Sequence, residues 1–389
     1  MGFVKQFSDQ SVYELALARM RRVFDEYDTV SVMFSGGKDS TACLNIAMEA
    51  HTFSGRPEPL DVVFFDEESL HPPTVEYLER VARLPQLNFR WLCVPIQHRN
   101  ACSIDSPYWY PWAPEDRSVW VREMPKGAIN YFPGYAGMTT ASERLSISEL
   151  TGYLYPRDGK RIATVLGIRA TESIRRYRSV TFRAEDNWIS RDKSHPMVAK
   201  VKPVYDWSTE DVWVAPHKFG WDYNRTYDVF TKLGVSAHDQ RVCPPFGEEP
   251  LRGLWMYAQA WPELWEKMCA RVPGASTAGR YSRSPLYAFG DRQKLPEGVT
   301  YQQQIESALL KWPTEDGTRQ KVAAHLKRII DWHYRRFPKM EIPEHTADNP
   351  QSTVSWDMLL MVATRGDFKE RKMPSLRAEN LSSAGQWQF

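Results

Sequence analysis

Val30-Ser31-Val32-Met33-Phe34-Ser35-Gly36-Gly37-Lys38-Asp39-Ser40, followed at once by Thr41-Ala42-Cys43-Leu44-Asn45-Ile46-Ala47-Met48, decides the fold of this chain. An apolar, β-branched run breaks into two glycines and then into a helix-forming run. A buried strand that turns through glycines into a helix N-terminus makes a phosphate cradle. Gly36 and Gly37 let backbone N–H groups come close to an anion, and the first helical N–H groups point at it. Ser35 and Ser40 add hydroxyl donors, and Lys38 adds a positive charge. The spacing is not the Gly-x-x-x-x-Gly-Lys-Ser/Thr of the P-loop, which removes the main support for a kinase or GTPase.

At 389 residues the chain has room for one large domain or two ordinary ones. Its 42% hydrophobic and 25% charged residues fit a globular protein rather than a disordered one. The formal net charge of +2 gives no global pull toward nucleic acid, so any basic surface is local. No apolar run approaches the length of a membrane span, and Met1–Asp9 does not read as a signal peptide. Cytoplasm is the expected compartment. Cys43, Cys93, Cys102, Cys243 and Cys269 form no Cys-x-x-Cys pair, so neither a disulfide framework nor a zinc ribbon is expected.

Working outward from the opening motif, helical periodicity covers Gln10–Asp28, and strand one is Thr29–Phe34. Leu60–Phe65 reads as a second buried strand ending in Asp66-Glu67-Glu68, and Pro73–Leu84 as a helix with proline near its start. Phe89–Val94 and Arg161–Ile168 are a third and a fourth strand. The alternation indicates an α/β, doubly wound parallel sheet with a mostly helical C-terminal extension. Ligands in such sheets bind beyond the carboxyl ends of the strands. Ser35–Ser40, Asp66–Glu68 and Gly167–Arg169 should therefore line one crevice. Residues 99–158, rich in Trp, Tyr, Pro and Gly, form an insertion that is either a substrate-facing lid or an extension packed on the sheet. Ser208 with Asp211 reads as a capping box, and Leu251–Arg271 and Thr318–Phe337 read as helices. The expected domains are 1–235, which binds nucleotide, and 236–389, the helical extension.

Gly167-Ile168-Arg169-Ala170-Thr171-Glu172-Ser173-Ile174-Arg175-Arg176 supplies planar donors suited to phosphate or sulfate oxygens. Ser-Gly-Gly-x-Asp-Ser resembles the PP-loop motif of enzymes that act at the α-phosphate of ATP or on sulfonucleotides. With Phe65-Asp66-Glu67-Glu68, Gly167–Arg176 and Lys202-Pro203-Val204-Tyr205-Asp206-Trp207, the chain resembles the phosphoadenosine phosphosulfate (PAPS) reductase family. Gln240-Arg241-Val242-Cys243-Pro244-Pro245-Phe246-Gly247, Arg252-Gly253-Leu254-Trp255, Ala270–Ala275 and Ser355-Trp356 narrow the resemblance to an IbrA-like branch. Members of that branch are often described as PAPS reductases without demonstrated reductase activity. The resemblance implies a Rossmann-like fold in which Ser35, Gly36, Gly37, Lys38, Asp39 and Ser40 bind phosphates. It places Asp66 and Glu67 by the adenosine, and Gly167, Arg169, Arg175 and Arg176 at the distal anion. Asp39 would orient the loop or help to hold Mg²⁺.

Thiol-dependent reduction in that family uses a C-terminal cysteine tail, and this chain has no cysteine after Cys269. Paired cysteines for an iron–sulfur cluster are missing too, so no cluster is expected. Cys243 is the candidate thiol, with Arg241 or His238 able to lower its pKa if it lies near the crevice. The reading left standing is attack of an acceptor on the α-phosphate of ATP, with Lys38, Asp39 and Arg169 in catalysis and ATP or PAPS as ligand. A third reading is a nucleotide-dependent regulator or nucleic-acid-modifying partner. It draws on a basic helix (Lys321, Lys327, Arg328, Arg335, Arg336, Lys339, with His325 and His333) and a basic tail (Arg365, Lys369, Arg371, Lys372). The acceptor is not legible. A protein partner is an open expectation, a homo-oligomer is expected, and a membrane is not.

Overall fold

The structure is a computed structural model. It describes residues 8–103, 105–181, 186, 188–192, 194–247, 250–282, 295–345, 348, 352 and 354–366, without the side chains of Ile174, Arg175, Arg178, Thr181 and Arg365. The chain divides into two compact units, Met1–Ala288 and Phe289–Phe389.

The first unit opens with α1 (Val12–Glu26), whose N-cap Ser11 accepts from Glu14 N while the Glu14 carboxylate returns to Ser11 N. Ala16, Met20, Val23 and Phe24 recur at helical spacing and are buried. Then come β1 (Thr29–Met33), α2 (Lys38–Ser54), β2 (Leu60–Phe65), α3 (Pro72–Ala82) and β3 (Leu87–Leu92). The insertion carries the short antiparallel pair β4 (His98–Arg99) and β5 (Tyr108–Trp109), and then α4 (Thr151–Leu154). After it follow β6 (Ile162–Leu166), α5 (Ile174–Thr181), β7 (Ile189–Arg191) and β8 (Val198–Val201). The six-stranded sheet has the order β3-β2-β1-β6-β8-β7. All neighbours are parallel except the edge strand β7, which runs antiparallel to β8. The order reverses between β1 and β6, and a doubly wound sheet opens a crevice at that point.

The expected strands and helices occur within two residues of their expected ends, with two exceptions. The β7–β8 hairpin has no counterpart among the expected elements, because strands of three and four residues carry too little periodicity to register. The expected helix over 251–271 is interrupted. A 3₁₀ turn (Pro250–Gly253) leads into α8 (Leu254–Ala260), and Pro262 opens α9 (Pro262–Arg271) after a break at Trp261. The Ser208–Asp211 capping box starts α6 (Thr209–Phe219) as expected, and α7 (Thr226–Lys232) follows it.

The insertion packs inward. Phe132, Tyr135, Leu150, Leu154 and Tyr155 share a core with Val63, Phe65 and Leu92 of the sheet. Ala101, Cys102, Trp109 and Val121 share another with Phe246, Leu251, Leu254, Tyr257 and Met268, closed by α10 (Ala275–Tyr281). That second core is why the compact unit runs to residue 288 and past 235, where the motif spacing ends the nucleotide-binding domain.

In the second unit α11 (Tyr301–Leu310), α12 (Thr318–Arg336) and α13 (Trp356–Arg365) bury Ile305, Leu309, Leu326, Ile329, Trp332 and Leu359. His325 and His333 turn inward, and His333 Nε2 meets the Met340 carbonyl at 2.8 Å, so the histidines of the basic helix serve packing. Lys369, Arg371 and Lys372 of the basic tail lie outside the described residues, as does the Arg365 side chain. Among the described residues no helix is long and apolar enough to cross a membrane.

Two buried groups make the first unit's stability testable. Glu68, fully buried, accepts from Trp112 N, Val121 N and Arg271, whose Nε lies 3.0 Å away. Arg271→Ala strands that carboxylate and should cost about 3–5 kcal/mol, read as the first unit's transition in urea. His71 is stacked on Tyr257 with ring centres 4.4 Å apart, and burial lowers its pKa from 6.5 to about 3. The unfolded chain therefore takes up a proton below pH 6.5 that the folded chain refuses until about pH 3. Stability should fall as pH drops through that window, by about 2–3 kcal/mol between pH 7 and pH 4.5. His71→Phe should remove that much of the pH dependence, measured by urea unfolding at the two pH values.

Candidate functional site

The loop between β1 and α2 lies at the switch point of the sheet. Gly36 has φ +70°, the left-handed region that a β-carbon disfavours. Gly37 is the N-cap of α2 and brings no side chain to the cap, leaving the first helical N–H groups to other partners. The two serines close the loop on itself. Their hydroxyls lie 3.0 Å apart, Ser35 N reaches Ser40 Oγ at 3.2 Å, and the Gly37 carbonyl lies 2.9 Å from Ser40 Oγ. Ser35 is exposed, whereas Gly36, Gly37, Lys38 and Ser40 are buried.

Gly167 follows β6 and abuts this loop. A β-carbon there would sit 2.6 Å from Ser40 N and 2.7 Å from the Asp39 carbonyl carbon. The contact carries Arg169 to Asp39, with Nε 2.5 Å from Oδ1. Arg169 is 2% exposed, and its other donors go to Thr171 Oγ1 at 3.1 Å and Thr209 Oγ1 at 3.4 Å. It lies beside Asp39 at the first turn of α2. Arg176 pairs with Glu172 at 2.5 Å and Arg241 approaches the same carboxylate at 3.7 Å. Burial raises the Glu172 pKa, with Arg176 acting against it. The Arg175 side chain lies outside the described residues.

Lys38 is held from behind. Its ammonium donates to the Gln240 carbonyl at 2.5 Å and lies 5.4 Å from the Tyr227 ring centre and 5.8 Å from that of Trp213. Burial lowers its pKa, with Asp39 opposing. Lys38 N donates to the Tyr227 hydroxyl at 2.8 Å, and Asn224 Nδ2 donates to the Gly36 carbonyl at 2.9 Å. Asn224, Tyr227 and Gln240 are thus parts of the site that motif reading missed. Gln240 acts through its main chain, which no residue identity reveals, and Asn224 and Tyr227 stand in no recognisable spacing.

The two expected residues after β2, Asp66 and Glu67, each have protein partners. Asp66 is fully buried and accepts from Trp91 Nε1, Trp112 Nε1, Arg122 and Glu68 N, so its carboxylate is satisfied within the protein. Glu67 pairs with His98 at 3.3 Å. His238, considered as an activator of Cys243, instead meets exposed Glu210 at 3.6 Å. Cys243 is half-buried and follows Val242, whose carbonyl lies 3.8 Å from where a Gly37 β-carbon would stand. Among the described residues no group of three or more His, Cys, Asp or Glu side chains is placed to hold a metal ion.

A glycine-turned loop at the switch point, backed by lysine and arginine, defines a PP-loop α/β domain. The chain belongs to the phosphoadenosine phosphosulfate reductase domain family, whose model matches residues 29–235. A domain of unknown function, DUF3440, matches residues 234–344. The chain is 28% identical over 376 residues to the Escherichia coli K12 protein YbdN, itself uncharacterized, covering 92% of this chain and 89% of YbdN. Among solved structures it is similar to the Candida glabrata FMN adenylyltransferase with FAD and pyrophosphate (13% identity, TM-score 0.34), covering 57% of this chain and 64% of that one. It is also similar to the Candida auris PAPS reductase in its phosphate complex (14% identity, TM-score 0.32), covering 58% of this chain and 93% of that one.

Gly167→Ala should push β6 off the first turn of α2 and cost about 1–3 kcal/mol. Urea unfolding of the first unit measures the loss, and an unchanged midpoint would show that the two backbones are not in contact.

Proposed function

We propose that the chain binds an adenine nucleotide with its phosphates over Ser35–Ser40 and transfers the adenylyl group to an acceptor, releasing pyrophosphate. The observation that carries this reading is the placement of the Ser35–Ser40 loop at the switch point, with Gly36 in the left-handed region and Lys38, Arg169, Arg176 and Arg241 around it. Those four cations face two carboxylates, Asp39 and Glu172, so the ring keeps a positive excess that suits a polyphosphate.

In the transfer, an acceptor oxygen or nitrogen forms a bond to the α-phosphorus. The bond from that phosphorus to the pyrophosphate oxygen breaks, and the acceptor's proton leaves to solvent. Such a reaction needs positioning and charge stabilisation and no covalent enzyme group. Backbone N–H groups of the loop and first turn hold phosphate oxygens, Ser35 offers an exposed hydroxyl, and Lys38 supplies charge where pyrophosphate departs. Arg169 keeps Asp39 aligned. Mg²⁺, when bound, would neutralise phosphate charge and be ligated mainly by the nucleotide and water, with Asp39 as the carboxylate at hand.

A second reading, thiol-dependent reduction of PAPS at Cys243, is favoured by the position of that residue three places beyond Gln240, whose carbonyl holds Lys38. There the thiolate would bond to the sulfonucleotide sulfur and expel adenosine 3′,5′-bisphosphate, and the thiolate of a thiol reductant would then attack the cysteine sulfur, forming a disulfide and releasing sulfite.

Thermal unfolding with ATP, adenosine phosphosulfate or PAPS, each with Mg²⁺, separates the readings. A ligand at about 100 times its dissociation constant adds about 2.7 kcal/mol to the folded state. ATP should raise the melting temperature of the wild type and leave that of Lys38→Ala where it is without ligand. A shift with PAPS alone would move the assignment to sulfonucleotide reduction. No shift with any of the three, or equal shifts in Lys38→Ala, would overturn the site.

A further inference from the structure

The segment Gln240–Gly247 touches two parts of the first unit that the proposed reaction would need to coordinate. At its start the Gln240 carbonyl accepts from Lys38 Nζ at 2.5 Å, and the Val242 carbonyl lies 3.8 Å from where a Gly37 β-carbon would stand. At its end the Phe246 carbonyl accepts from Ala101 N at 2.7 Å, and the fully buried Phe246 ring meets Trp109 edge to face at 5.1 Å. Ala101 and Trp109 belong to the aromatic insertion. Cys243 lies between the two ends, and Arg241 reaches the Glu172 carbonyl at 3.2 Å.

The root of this segment is fixed independently of Lys38. The Gln240 side chain donates to Thr231 Oγ1 at 2.9 Å and to the Val235 carbonyl at 3.0 Å. Beyond the root, Pro244 and Pro245 bring no N–H to anchor it. A main-chain carbonyl is a weaker partner for an ammonium than a phosphate oxygen, whose full charge strengthens the bond. A phosphate in the Ser35–Ser40 loop would therefore compete with Gln240 for Lys38.

We propose that Gln240–Gly247 is a phosphate-responsive strap: an anion in the Ser35–Ser40 loop draws Lys38 from the Gln240 carbonyl, and the loosened strap passes that occupancy to Ala101 and Trp109. The proposal rests on the phosphate-binding reading of the loop. It gives the segment after residue 235 a role in sensing the nucleotide, and it couples the aromatic insertion to the state of the phosphate site.

Hydrogen–deuterium exchange on the full chain tests it, with pyrophosphate and with ATP and Mg²⁺ as probes and binding followed in parallel by calorimetry. Losing one charge-assisted hydrogen bond should speed exchange about tenfold or more at 241–243, at 246–247 and at Ala101. Unliganded Lys38→Met, which keeps the aliphatic stem against Trp213 and Tyr227, should show the same rise without any anion. Unchanged exchange in Lys38→Met, or unchanged exchange in wild type that calorimetry shows to be loaded, would overturn the strap and leave nucleotide binding intact. Absence of heat with both probes would overturn the nucleotide reading, and sensing with it. The Lys38→Met exchange would then report only whether Lys38 tethers the segment.

Discussion

Strand β6 ends against the first turn of α2 at a distance only a residue without a side chain permits, with the β-carbon position of Gly167 2.6 Å from Ser40 N. Much of the site follows from that approach. It brings the chain after β6 across the helix N-terminus, so that Arg169 reaches Asp39. Asp39 in the first turn is itself favourable, because a carboxylate there meets the positive end of the helix dipole. Left alone it would also repel an incoming phosphate. Pairing with a buried arginine neutralises it and leaves the amides and Lys38 to set the sign of the crevice.

The carboxylates after β2 show the same economy applied to structure. Asp66 and Glu68 are fully buried, yet neither is unpartnered. Trp91, Trp112, Arg122 and Arg271 converge on them, with Asp116 adding a second anion to Arg271 at 2.8 Å. Glu68 and Trp112 both adopt positive φ, 63° and 56°, and Trp112 N donates to Glu68 at 2.8 Å. Two non-glycine residues in that region carry a backbone cost that persists only where surrounding contacts over-determine it. Here the charged network supplies those contacts and fixes the start of the aromatic insertion against the carboxyl end of the sheet. Trp112 and Trp120 donate their indole N–H groups there, to Asp66 and to the Ala113 carbonyl.

What could be read from the sequence follows the range over which each signal acts. The strand, glycine turn and helix of residues 29–54 are local, with each residue's preference agreeing with its neighbours, and they appear as expected. The capping box at Ser208 is local too. The indole partners of Asp66 are not legible, because an acid at a strand end looks the same whether it faces a ligand or a buried indole. The pairing of Arg169 with Asp39 is not legible either, since the arginine's identity says nothing about a residue 130 positions earlier. Gln240 opens a legible motif, but its bond to Lys38 runs through a main-chain carbonyl, which residue identity does not announce.

The position of Gln240 also bears on what the two matched family regions mean for each other. The reductase domain model ends at residue 235 and the DUF3440 model begins at 234, so the sequence families part just before the strap. The contacts do not part there. Lys38, in the motif that marks the first family, has its nearest hydrogen-bonding partner in the second, and Ala101 and Trp109 of the first pack on Phe246 of the second. A segment that accepts from a buried ammonium cannot be lost without taking away a hydrogen-bond partner. The region 236–281 is therefore part of the structure that presents the phosphate loop, and a protein built from residues 1–235 alone would lack the partner that holds Lys38.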